Sequence, residues 1–191
     1  AGARLLVRLT TDIFQQTTPP ADAYYGGWVV RARYAYLQYD FLRGAPGALA
    51  ANARFGLLHN PVIDPEEQYW IRPLGPVAVE LAGFFSSADA GAATTVTLPN
   101  KAGEAYVMVA NGNGFASRET DRFKDVGARL TLTPFSHGST ILKSLAISPW
   151  YYKGARASDF VARRGTVLAV SGARKKDRYG VLVGLKDPRF S

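Results

Sequence analysis

The sequence has no cysteine, which excludes a disulfide framework, a thiolate metal centre and a thiol nucleophile. Long apolar runs are also missing. Although 47% of the residues are hydrophobic, no stretch approaches the ~20 apolar residues of a membrane-spanning helix, so a helical membrane protein is excluded. The opening Ala1-Gly2-Ala3-Arg4 leads straight into an alternating segment rather than an apolar block, so it does not read as a cleavable signal. Acidic residues are short too. Fifteen Asp+Glu against 23 Lys+Arg leave a formal charge of +8, which predicts attraction to anions: nucleic acid, lipopolysaccharide or small anionic solutes.

What the chain does have is period-two alternation, recurring between turn residues, which predicts an all-β antiparallel meander. About ten segments carry it. In Arg4–Leu9, Leu5, Val7 and Leu9 oppose Arg4 and Arg8. In Trp28–Tyr39, Trp28, Val30, Ala32, Tyr34 and Tyr36 oppose Arg31 and Arg33. In Ala51–Leu57, Ala51, Ala53, Phe55 and Leu57 oppose Asn52, Arg54 and Gly56. Weaker segments are Val77–Phe85, Ala93–Leu98 and Glu104–Ala110, and the cleanest is Asp125–Leu132, with Val126, Ala128, Leu130 and Leu132 opposite Arg129 and Gly127. Leu145–Tyr152, Thr166–Val170 and Arg178–Leu185 complete the set. Breakers such as Thr18-Pro19-Pro20, Gly44-Ala45-Pro46-Gly47 and Asn111-Gly112-Asn113-Gly114 lie between them as turns. No composition shift divides the chain, so residues 1–191 read as one domain.

The polar face is unlike the mixed Lys, Glu and Ser surface of a soluble sandwich. It carries Arg8, Arg31, Arg33, Arg54, Arg129 and Arg178 beside Gly, Asn and Thr. Long basic side chains next to small residues suit a confined polar interior, and strands facing hydrocarbon must close into a ring. Trp28, Tyr34, Tyr36, Trp70, Trp150, Tyr151 and Tyr179 are candidates for an aromatic girdle at two membrane interfaces. The expected fold is therefore an antiparallel transmembrane β-barrel. Lipocalin-like barrels and sandwiches share the alternation, and a soluble or surface β-protein for binding or architecture is the competing class.

Several motifs resemble outer-membrane porins of the phosphate-selective porin O and P group. They are Asn52-Ala53-Arg54-Phe55-Gly56-Leu57 leading to Asn60-Pro61 and on to Pro65-Glu66-Glu67, the Ser86–Gly91 stretch, and Val109–Phe115 followed by Asp121–Leu130. The ordered set spans roughly residues 28–135. The resemblance implies an outer-membrane location, contact with lipid and lipopolysaccharide, passive diffusion of small solutes, and association as a homo-oligomer, such as a trimer. Such porins have about sixteen strands, so ten segments imply a smaller barrel or a partial chain.

The arginine set admits two readings: a basic ladder drawing anions through a pore, or braces paired with acids such as Asp40, Glu80, Glu104 and Asp125. The acids Asp64, Glu66 and Glu67 lack the ordered spacing of a calcium loop and read as a solvated or arginine-paired loop, with Arg72 a candidate partner, not a metal site. His59 and His137 sit beside turn residues, and no Gly-x-Ser-x-Gly elbow supports a hydrolase. Asn111–Gly114 lacks the lysine and helix of a phosphate loop. Arg174-Lys175-Lys176 reads as a solvated hairpin tip, with anionic lipid head groups the second reading, and no nucleic-acid partner is expected. The combined expectation is a channel for small, anionic, hydrophilic solutes, with no cofactor and no bond chemistry.

Overall fold

A computed structural model describes residues 4–15, 27–71, 75–116, 123–138, 141–161 and 167–186, with side chains described outside 156–161 and 167–174. The chain is all-β. Strands β1 (Arg4–Gln15), β2 (Trp28–Arg43), β3 (Ala50–His59), β4 (Ala88–Thr97), β5 (Gly103–Ala110), β6 (Asp125–Leu132) and β7 (Ala146–Lys153) follow one another as an antiparallel meander. β8 (Ala155–Val161) and β9 (Val167–Lys175) form a two-stranded sheet, and β10 (Arg178–Gly184) returns to pair with β7. The main sheet thus has eight strands, with β1 and β10 at its edges; it is not closed into a barrel.

The described residues of the connection from β3 to β4, 60–71 and 75–87, fold back over one face of the sheet. They contain two short helices, α1 (Ile63–Glu67) and α2 (Ala78–Leu81). Val77–Phe85, expected as a weak strand, is instead helix and turn, with Leu81 and Ala82 amides bonding back to Val77 and Ala78 carbonyls. The missing strand is replaced by β8, which alternation did not reveal.

The covered face holds the core. One cluster gathers Tyr34, Tyr36, Leu58, Ala93, Tyr106 and Met108; the other sets Val62, Ile63, Val77 and Phe85 of the connection against Tyr152. Glycines make the close approach possible. A Cβ on Gly127 would lie 2.5 Å from the Pro61 ring, and one on Gly184 would lie 2.2 Å from the Tyr69 ring. The opposite face is bare and apolar: Val7 is 77% exposed, Trp28 73% and Tyr179 81%.

β2 corrects the expected facing. Thr10 pairs with Tyr34 but Thr11 with Ala32, so Arg33 is an extra residue in a bulge. Such an insertion reverses the side-chain alternation. Arg31 and Arg33 therefore share the covered face with Tyr34 and Tyr36, which the simple alternation placed opposite them. The two tyrosines are buried and leave the expected girdle. Trp150 leaves it as well, packing edge-on against Phe85 at 5.5 Å, while Trp70, outside any strand, donates to the Gly75 carbonyl at 3.0 Å. Trp28, Tyr151 and Tyr179 do lie on the bare face.

Candidate functional site

All six arginines singled out above belong to the covered face, and the fold divides them into three groups. The first surrounds α1. Arg54 on β3 lies 3.7 Å from Asp64 and donates to Gln38 Oε1 at 2.8 Å. Arg129 on β6 donates to the Pro61 carbonyl at 2.6 Å and to Glu104 across the β5–β6 pair. Arg8 on β1 sits over the Tyr34 ring at 5.0 Å and bonds Thr10 Oγ1 at 3.3 Å. No carboxylate pairs with Arg8 among the described residues, and it is solvent-exposed.

The second group is acid-bound. Arg31 and Arg33 share Asp12 of β1 at 3.7 and 3.4 Å, and Arg33 also reaches Glu80 of α2 at 3.3 Å and the Ser87 hydroxyl. Arg31 lies over the Phe14 and Phe115 rings, each 4.6 Å away. Arg178, the third, stands apart over Phe85 at 5.3 Å.

Aromatic faces recur beneath these cations. Arg54 lies 5.3 Å from Tyr36 and Arg129 5.2 Å from Tyr106. The ring quadrupole attracts a guanidinium and holds it in a fixed plane with donors outward. Arg8, exposed and without a carboxylate partner among the described residues, can therefore present N–H donors to an anion.

Of the acids expected to brace the arginines, Glu80 and Glu104 do so. Asp40 instead accepts from Gln38 at 2.7 Å, and Asp125 pairs with Lys176 at 2.7 Å. That corrects the reading of Arg174–Lys176 as a hairpin tip: Arg174 and Lys175 end β9, and Lys176 is tied to Asp125 and to the Gly112 carbonyl at 2.8 Å. The tip joining β8 to β9, and Arg72, lie outside the described residues.

His59, Asp64 and Glu67 place their donor atoms within 4.8 Å of one another. His59 is buried beneath Tyr34, ring centroids 3.7 Å apart, with its Nδ1 3.2 Å from Asp64, and the Tyr34 hydroxyl donates to Glu67 at 2.9 Å. Burial pushes the Asp64 carboxyl above its ordinary value, while Arg129, Arg54 and Arg8 pull it down. These three positive charges oppose a bound cation, and the cluster reads as an ionic brace holding α1 to the sheet.

Asp12 and the burial of His59 were not evident in the sequence. Arginine at 31 and 33 with tyrosine at 34 and 36 fits strict alternation, so the bulge that turns both arginines and both tyrosines to one face left no signal there. No protein-family model, curated protein or solved structure matches the chain.

Proposed function

We propose that the chain forms a channel wall in the bacterial outer membrane, of the porin kind, through which small anionic hydrophilic solutes diffuse passively. One observation carries the reading. The face that packs and buries side chains is the arginine-bearing one, whereas the face of Leu5, Val7, Leu9, Val181 and Val183 is more than 60% exposed at each residue. A water-soluble sheet does the opposite. Fully burying such side chains is worth about 1.5–3 kcal/mol each, and hydrocarbon supplies that burial.

In lipid an unpaired strand edge is expensive, so the channel reading requires strands that complete the ring between β1 and β10. The segment 60–87 narrows the lumen in this reading, and Arg8 offers donors not already held by a carboxylate. Resemblance to the phosphate-selective porin O and P group supports the same class through its motifs. Trimeric association and contact with lipopolysaccharide belong to the proposal on that resemblance.

The test is single-channel recording of the refolded protein in a planar bilayer under a salt gradient. Discrete steps with an anion-selective reversal potential are expected, and Arg8→Gln lowers the selectivity without abolishing the steps. Folded, inserted protein that passes no current overturns the channel. Failure to insert favours the soluble β-protein.

A further inference from the structure

A second feature lies where the Asn111–Gly114 turn, the end of the 60–87 connection and the start of β10 meet. These elements line a cavity of about 620 Å³ that is open to solvent on one side, within the ~300–1,000 Å³ of small-molecule sites. Its walls contain four side chains with unspent polar capacity. Asn60 is 3% exposed; its amide nitrogen donates to the Ser86 carbonyl at 2.7 Å, but its Oδ1 accepts nothing. The Nδ2 of Asn113 is buried and donates to nothing. Asp89, also 3% exposed, accepts the Ala90 and Gly114 amides at 2.8 and 3.2 Å and the Gly112 amide as well, yet faces no cationic partner among the described residues. Arg178 has no acidic partner among them either, and its guanidinium carbon lies 5.3 Å from the centre of the Phe85 ring.

The other charges in the wall are already matched. Asp125 and Lys176 neutralise each other at 2.7 Å. What remains is one anion with a neutral acceptor, one cation with a neutral donor, and the rings of Phe84 and Phe85. An isolated buried acceptor or donor is costly, and a single ligand carrying both charges satisfies all four.

We propose that this cavity binds a zwitterionic α-amino acid with an apolar side chain. The ammonium lies against Asp89 and Asn60 Oδ1, the carboxylate against Arg178 and Asn113 Nδ2, and the side chain against Phe84 and Phe85. A simple anion leaves Asp89 unmatched and meets its repulsion. A simple cation leaves Arg178 unmatched.

Equilibrium dialysis of the folded, detergent-solubilised protein tests this with L-phenylalanine, phenylacetate and phenethylamine. L-phenylalanine binds saturably, and each singly charged analogue binds at least ~10-fold more weakly, since each forfeits one set of charge-assisted hydrogen bonds. Arg178→Met and Asn113→Ala weaken L-phenylalanine by a similar factor while the far-ultraviolet spectrum stays that of the wild type. The analogue comparison uses unmodified protein and stands even if a variant misfolds. Phenylacetate binding as tightly as L-phenylalanine overturns the proposal in favour of an anion site. Saturable binding of none of the three overturns it in favour of a hydrated void. Bilayer recordings on the same preparation separate the two readings: conductance without binding removes this one alone, and binding without conductance removes the channel alone.

Discussion

Asp64 shows how a charged residue can brace a fold and still cost it stability. Its carboxylate is set among Arg54, Arg129 and Arg8, yet burial outweighs their attraction and its pKa lies above the ordinary 3.8. A raised carboxyl pKa means the folded state holds the proton more tightly than the unfolded chain. That contribution to stability is complete below pH 3.8 and is lost as the pH rises through the raised value. Asp64→Asn cannot titrate. The wild type is therefore expected to lose stability relative to Asp64→Asn from acid to neutral pH, read as the difference in their denaturant midpoints in one detergent. A flat difference means that Arg54 and Arg129 fully compensate the burial.

The neighbouring residues differ in how legible they are. Arg54 and Arg129 are readable as polar-face residues because β3 and β6 alternate without interruption. His59 is not, since its burial depends on Tyr34 and Tyr36, which a bulge turns onto its side of the sheet.

Among the elements, the long arms that run from β7 into β8 and from β9 into β10 depend on one buried carboxylate. Asp125, at the first position of β6, accepts the Tyr152 hydroxyl at 2.8 Å, the Ala155 amide at 3.1 Å and the Lys176 ammonium at 2.7 Å. Gly154 at the break leaves room for it: a Cβ there would fall 2.4 Å from the carboxylate. Asp125→Ala strands a lysine and a tyrosine hydroxyl together. Breaking a buried pair from one side costs about 3–5 kcal/mol. The expected outcome is a clearly lower denaturant midpoint than that of the wild type, and a variant as stable as the wild type refutes the hinge role. Nothing in the local pattern marks this residue, because its partners Tyr152, Ala155 and Lys176 all lie far along the chain, the nearest 27 positions away.

At the scale of the whole molecule the question is which face meets which medium. The absence of cysteine makes single-cysteine labelling clean. Once the protein is reconstituted in vesicles, Val7→Cys and Val181→Cys on the bare face become unreactive to a water-soluble thiol reagent, whereas Arg8→Cys on the covered face reacts. The opposite pattern places the bare face in water or against another protein, and ends the lipid reading. The sheet itself leaves β1 and β10 as edges, and because strands alternate in direction across an even count of eight, these edges run antiparallel. Further antiparallel strands can continue the meander from either one.

The sequence by itself determined the all-β class, the order and approximate bounds of most strands, and the partition of arginine from leucine and valine in β1, β3, β6 and β10. It could do so because alternation in a strand is local: neighbouring side chains point to opposite faces. Only the tertiary structure decided the rest. The folding of residues 60–71 and 75–87 onto the sheet, the turning of Tyr34 and Tyr36 inward, the pairing of Lys176 with Asp125, and the cavity between Asp89 and Arg178 all depend on contacts between distant segments. A bulge inverts facing with a single extra residue, and a covering segment is held by charges on strands far from it in the chain. Neither leaves a period in the sequence.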